Sequence, residues 1–165
     1  MNLPTIRQTY LLIFAGCVGL IAVGMVMQYV MKLEPCPLCI TQRVFIVLVG
    51  LTALIGALHN PSGNSRRTYG LGVILFAVIG AGFSSRQLWL QSLPPELAPA
   101  CGPSLSYMFD SFPLMEALQV LLQGDGNCAD VKWSFLGGSI PFWTLIAFIG
   151  LALFGLWQSW RKAST

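Results

Sequence analysis

Two cysteines stand three positions apart in the segment Cys36-Pro37-Leu38-Cys39, and this spacing is typical of redox chemistry. Such a pair can close a small, reducible disulfide ring. The pair opens an apolar run long enough for a helix, and a helix N-terminus stabilises a thiolate. Arg43 follows Cys39 by four positions, so both side chains share one helical face. Its guanidinium could stabilise a Cys39 thiolate.

A second pair, Cys101 and Cys128, lies in a longer polar segment. Taken alone, this pair could be a plain staple of its loop. Alternatively, a flexible segment could bring it to the first pair, because thiol–disulfide exchange proceeds through a mixed disulfide and needs access. Cys17 is isolated in an apolar run and is interpreted as a packing residue.

Simpler interpretations of the first pair stay open at this point. Cys36 and Cys39 could form a structural disulfide, and Arg43 could anchor a lipid phosphate. Zinc is disfavoured because zinc sites usually combine one such pair with a second close-spaced ligand pair. The single histidine, His59, lies at the far end of the apolar run that the first cysteine pair opens, and so it is predicted to be remote from this pair. We therefore predict no metal.

The composition indicates a lipid environment. Of the 165 residues, 55% are hydrophobic and 9% charged, with a net charge of +3. Soluble domains carry about 25% charged residues. Basic blocks interleaved with aromatic residues do not occur in the sequence, so no nucleic-acid partner is predicted. The lipid bilayer is the expected partner.

Four apolar runs are long enough to cross a bilayer core, which takes about 20 residues. The predicted spans are residues 10–31, 38–58, 69–90 and 140–160, with an external loop at about 91–139. The predicted fold is an all-α membrane protein, a four-transmembrane-helix bundle forming a single domain over residues 1–165. The loop begins with prolines at 94–99, which indicate an extended stretch. Ser111–Leu122 then predicts a short amphipathic, interfacial helix, with Ser111 as N-cap and Pro113 in the first turn.

Basic residues orient the bundle. Five of them fall at the end that carries both termini: Arg7, Arg66, Arg67, Arg161 and Lys162. Lys32 and Lys132 fall on the other side, with Arg43 and Arg86 near its boundary. The positive-inside rule therefore predicts that both termini are cytoplasmic. The two cysteine pairs then lie outside, where disulfides persist.

Together these features resemble the disulfide bond formation protein B family, DsbB, the quinone-coupled thiol oxidases of bacterial inner membranes. The resemblance covers essentially the whole chain. Its motifs are the four spans, Cys36-Pro37-Leu38-Cys39 with Arg43, the pair Cys101 and Cys128, and the stretch from Cys128 through Trp133-Ser134-Phe135-Leu136-Gly137 to Pro141 and Trp143.

The resemblance implies a relay of four catalytic cysteines in the bacterial inner membrane. A Cys101–Cys128 disulfide would oxidise a periplasmic thioredoxin-fold partner of the DsbA type, with Cys101 forming the mixed disulfide. A Cys36–Cys39 disulfide would reoxidise that pair and pass two electrons to a membrane quinone, ubiquinone or menaquinone. Cys39 would lie closest to the quinone ring, with Arg43 as the quinone-binding residue.

One departure from the family concerns the outer end of the third span. Some members carry a histidine there, whereas this chain has Arg86 and Gln87, either of which could substitute. Two alternative functions remain at this point. One is a reductase similar to vitamin K epoxide reductase, although in that family the quinone-facing cysteine pair lies late in the bundle. The other is a non-catalytic membrane scaffold whose disulfides only shape its loop.

Overall fold

The computed structural model of the chain describes residues 5–61, 64–94, 96–97, 99–101 and 113–161. Four long helices are each long and apolar enough to cross a membrane. They are α1 (Ile6–Tyr29), α2 (Pro37–His59), α3 (Asn64–Ser92) and α5 (Ile140–Trp160), with a short helix α4 (Leu114–Gln123) before the last. The predicted all-α, four-helix membrane fold is confirmed.

Local sequence signals set the helix ends that matter for function. Thr5 and Gln8 form a reciprocal capping box at the start of α1. Cys36 is the N-cap of α2 and Pro37 its first residue, a position where the missing N–H of proline costs nothing. Asn60 ends α2 in the left-handed conformation, at φ 42°. The cysteine pair therefore sits at the open N-terminus of a membrane helix.

The long helices pack in the order α1, α2, α3, α5, and α1 contacts α5 only slightly. The main core joins apolar side chains from all four helices, among them Tyr10, Val49, Val73 and Phe148. Cys17 is buried in this core, as predicted for a packing residue. A smaller cluster of Cys36, Leu38, Leu90 and Cys128 lies at the other end of the bundle. We call this the cysteine end.

The loop between α3 and α5 folds back over the cysteine end. Its helix α4 begins at Leu114, directly after Pro113, and ends at Gln123, rather than spanning the predicted Ser111–Leu122. Ser111, the predicted N-cap, lies outside the described residues. A turn of 3₁₀ helix follows at Gly126–Cys128. Strands β1 (Ser134–Phe135) and β2 (Gly138–Ser139) then form a small antiparallel hairpin that leads into α5.

Candidate redox site

Three cysteine side chains meet at the N-terminus of α2. The sulfurs of Cys36 and Cys39 are 2.9 Å apart. The thiol of Cys36 donates a hydrogen bond to the sulfur of Cys128, which comes from the loop. Cys36 and Cys128 are both buried, and Cys39 is half-buried. The two predicted cysteine pairs are therefore joined through Cys36.

The open end of α2 holds Cys128 in place. The first N–H groups of a helix have no partner within the helix. One of them, the backbone N–H of Leu38, donates to the Cys128 sulfur. The Cys36 side chain itself makes no cap hydrogen bond. Cys128 thus supplies, from a distant loop, a cap that the helix lacks locally.

These contacts separate the acidities of the two thiols. The hydrogen bond from Cys36 lowers the pKa of Cys128, and the N–H of Leu38 adds to this effect against the cost of burial. The contacts with Cys128 and Cys39, together with burial, raise the pKa of Cys36 above the ordinary thiol value. In the reduced site the proton therefore stays on Cys36, and Cys128 is the better nucleophile.

Two buried glutamines lie beside the cysteines, and one of them, Gln87, contacts the sulfurs. The side-chain Nε2 of Gln87 donates to the sulfurs of Cys36 and Cys39, at 3.2 and 3.3 Å. The Nε2 of Gln42 in turn donates to the Oε1 of Gln87, at 2.8 Å. Arg86 turns away and donates to the carbonyl of Gln123, at 2.8 Å. Of the two residues considered for the position of the histidine, Gln87 contacts the cysteines and Arg86 does not.

Arg43 reaches across to α1 from one turn below Cys39. Its guanidinium donates to the side-chain oxygen of Gln28, at 2.5 Å, and to the carbonyl of Gly24, at 2.8 Å. A β-carbon at Gly24 would lie 3.2 Å from the Arg43 Nε, so the absence of a side chain there leaves room for the guanidinium. The cation is held inside the bundle, on the face of α2 that carries Cys39.

A cavity of about 300 Å³ separates the cysteine ends of α1 and α5. This volume is at the lower end of the range for small-molecule sites. Its polar lining includes Cys39, Gln42, Arg43 and Gln87, and its apolar lining includes Leu20, Val23, Met27, Trp133, Ile140 and Trp143. The cavity thus brings the predicted quinone-binding arginine and the inner cysteine to one wall of a mostly apolar space.

Comparison with known families identifies the chain. The family model described as "Disulfide bond formation protein DsbB" matches residues 6–158. The chain belongs to the DsbB family. Similar proteins, each named "Disulfide bond formation protein B", occur in Saccharophagus degradans, with 60% identity over 98% of both chains, and in Methylococcus capsulatus, with 48% identity over 98% of both chains.

Family membership confirms the resemblance inferred from the sequence. The chain is a multi-pass membrane protein and a disulfide-forming oxidoreductase. Of the families considered from the sequence, the one that the comparisons show is DsbB. Within the described residues, no group of three or more His, Cys, Asp or Glu side chains is arranged to hold a metal ion.

Cys101 is the one predicted DsbB-type cysteine that stays at the surface. Its side chain is exposed, whereas its backbone lies beside the turn that carries Cys128. The N–H of Gly126 donates to the carbonyl of Ala100, at 3.1 Å. A β-carbon at Gly126 would overlap the carbonyl of Pro99 and lie 2.9 Å from the Cys101 nitrogen. Glycine there lets the two segments touch.

Thr41 and Gln42 in this DsbB family member were missed by sequence reasoning. Thr41 donates to the carbonyl of Leu121, at 2.8 Å, and with Arg86 it fixes the C-terminal carbonyls of α4 over the cysteine end. Gln42 contacts the cysteines only through Gln87. The available signal was a pair of consecutive polar residues within an apolar span, which are costly in lipid unless they have partners.

Proposed function

We propose that the chain is a quinone-dependent protein dithiol oxidase that reoxidises a periplasmic, DsbA-type thioredoxin-fold protein. The observation that best supports this proposal is the contact between Cys128 and Cys36, with Cys101 exposed. The exposed thiol is suited to a protein partner. The buried contact between Cys128 and Cys36 is suited to thiol–disulfide exchange between the two cysteine pairs.

The first exchange takes place at the surface. A thiolate of the partner attacks the sulfur of Cys101 in the Cys101–Cys128 disulfide, and Cys128 leaves as a thiolate. The second thiol of the partner then attacks the mixed disulfide, which releases the partner as a disulfide and Cys101 as a thiol. Its exposed side chain makes Cys101, rather than the buried Cys128, the point of attack.

The second exchange takes place at the end of α2. The Cys128 thiolate attacks the sulfur of Cys36 in the Cys36–Cys39 disulfide, and Cys39 leaves as a thiolate. Cys101 then attacks Cys128, which restores the Cys101–Cys128 disulfide and releases Cys36. In the disulfide, Cys36 has no proton to donate, but the backbone N–H of Leu38 still lowers the pKa of Cys128 and so supports its role as the attacking group.

The cavity beside Cys39 fits a quinone head group. Its walls are mostly apolar, and the guanidinium of Arg43 has five N–H groups, of which Gln28 and Gly24 accept from two. Arg43 would hold a ring oxygen and Cys39 would face the ring. A bound quinone, ubiquinone or menaquinone, supplies a two-electron, two-proton acceptor, which allows the Cys36–Cys39 pair to return to the disulfide. A strong acceptor is needed because DsbA-type partners have potentials of about −120 mV.

We also propose that both termini face the cytoplasm of a bacterial inner membrane. Arg7, Arg67 and Arg161 at the terminal end, and the cysteines at the other end, support this orientation. A membrane-impermeant maleimide added to spheroplasts tests it. Labelling of Cys101 only after membrane rupture would contradict the orientation.

The experiment that tests the oxidase function uses the purified chain, a reduced DsbA-type partner and soluble quinone analogues. Quinone absorbance is followed for the wild type, Cys39→Ser and Cys17→Ser. We expect rapid quinone reduction by the wild type and by Cys17→Ser, because Cys17 is remote in the core, and none by Cys39→Ser. Failure of the wild type to reduce either ubiquinone or menaquinone analogues would contradict the proposal.

A further inference from the structure

Two buried amides form an ordered hydrogen-bond chain that ends on the cysteine pair. Gln42 and Gln87 come from different helices, and each is only 3% exposed. Gln42 donates to the Oε1 of Gln87, and the NH₂ group of Gln87 faces the sulfurs. Gln42 therefore fixes which end of the Gln87 amide the cysteines meet.

The contacts account for both N–H groups of the Gln87 amide. Its Nε2 lies 3.2 Å from the Cys36 sulfur and 3.3 Å from the Cys39 sulfur. The Oε1 also lies 3.6 Å from the Cys39 sulfur, where a protonated thiol can donate to it. The amide can thus serve Cys39 as a thiol and, more strongly, as a thiolate.

This arrangement favours the reduced form of the pair. Hydrogen bonds to a charged acceptor are about twice as strong as those between neutral groups. A disulfide sulfur carries no charge and accepts weakly, whereas the reduced pair can hold a thiolate. A donor fixed on both sulfurs therefore stabilises the product of the two-electron reduction more than the disulfide.

We infer that the Gln42–Gln87 pair raises the reduction potential of the Cys36–Cys39 disulfide and so makes it a stronger oxidant. Gln87 acts directly on the sulfurs, and Gln42 is a positioning residue that acts through Gln87. In the reaction concerned, the Cys36–Cys39 disulfide takes up two electrons and two protons to give two thiols, one of which can ionise. The use of this potential to oxidise Cys101 and Cys128 rests on the proposed function.

The test is the equilibrium of the full chain with glutathione redox buffers rich in the oxidised form, without partner or added quinone. The redox state of Cys36 and Cys39 is read by alkylation and mass spectrometry. We expect Gln87→Leu to shift the equilibrium about tenfold towards the disulfide, which is about 30 mV for two electrons. We expect a smaller shift in the same direction for Gln42→Leu, because the Gln87 amide is then free to turn.

Matched variants separate redox tuning from general damage. Gln158→Leu removes a buried glutamine from α5, remote from the sulfurs, and should leave the equilibrium unchanged. Gln87→Glu keeps the size of the side chain but replaces a donor with a carboxylate, and should also favour the disulfide. The Gln87→Glu variant tests the inference if Gln87→Leu does not fold.

Two results would overturn the inference. One is an unchanged potential in both Gln87 variants, and the other is an equal shift in Gln158→Leu. Neither result affects the oxidase proposal, because no partner or quinone takes part in the measurement. Conversely, a wild type that reduces no quinone would contradict the oxidase proposal and leave the measured potentials standing.

Discussion

The thiol of Cys36 donates a hydrogen bond to the sulfur of Cys128, and this contact couples the loop to the membrane bundle. The same sulfur accepts the N–H of Leu38, so the loop cysteine also caps the helix that begins beside it. Any movement of the loop away from α2 breaks both interactions together. In the proposed relay, the position of the loop would therefore control whether electrons can pass between the two cysteine pairs.

The acidity of Cys128 should depend on Cys36. Since the Cys36 hydrogen bond lowers the pKa of Cys128, replacing its donor by Cys36→Ala should raise that pKa. The alkylation of Cys128 by iodoacetamide, followed by mass spectrometry, should then require a higher pH. Cys17→Ala should not move the profile. An identical profile for Cys36→Ala and the wild type would contradict the assigned cause.

The two hydrogen bonds that Thr41 and Arg86 donate to the end of α4 should keep Cys128 buried. Thr41→Val and Arg86→Leu each remove one hydrogen bond to a carbonyl at the end of α4. A hydrogen bond contributes about 1 kcal/mol, so each variant should label Cys128 with a bulky maleimide about fivefold faster. Arg67→Leu, at the opposite end of the bundle, is the control. If Thr41→Val and Arg86→Leu both left the labelling rate of Cys128 unchanged, these hydrogen bonds to α4 would not hold the loop in place.

Close contact at Gly126 should be needed to bring Cys101 to Cys128. In Gly126→Ala the added methyl group meets the backbone of Pro99 and Cys101. We expect slower formation of the Cys101–Cys128 disulfide, with the Cys36–Cys39 pair unaffected, as measured by mass mapping during air oxidation. Gly19→Ala meets open space and is the control. Equal rates in the two variants would contradict this role of the contact.

The sequence predicts the membrane bundle well because hydropathy reports directly on lipid-facing helices. It predicts the helix ends less well. α3 begins at Asn64, before the predicted start at residue 69, because helical hydrogen bonding continues through the polar Arg66 and Arg67. Hydropathy marks where lipid contact becomes favourable, and not where the backbone stops being helical.

Some residues of the candidate site can be predicted from the sequence, and others cannot. The four cysteines and Arg43 stand out by residue type and spacing. The Gln42–Gln87 pair does not, because it depends on the relative rotation of α2 and α3. The contact between Cys128 and Cys36 likewise depends on how the loop folds over the bundle, which no local pattern encodes.

Arg43 should affect quinone binding more than the cysteine relay. In Arg43→Gln the charge is lost while a hydrogen-bond donor remains. We expect the KM for the quinone to rise about tenfold, which corresponds to about 1.4 kcal/mol, with a smaller change in KM for the partner. The quinone KM of Arg43→Lys should lie between those of the wild type and Arg43→Gln, because lysine keeps the charge but lacks the several N–H donors of the guanidinium. A raised KM for the partner alone would place Arg43 outside the quinone site.

The transfer of electrons from Cys128 to Cys36 is tested most directly by trapping the disulfide between them. In the Cys39→Ser, Cys101→Ser double variant, Cys36 and Cys128 remain, together with Cys17 in the core. In Cys36→Ser, Cys101→Ser, Cys39 and Cys128 remain. Both proteins are oxidised with diamide, and the rate of cross-link formation is followed by mass mapping. We predict that the Cys36–Cys128 disulfide forms at least about tenfold faster than Cys39–Cys128. Equal rates, or faster linkage through Cys39, would contradict the proposed path.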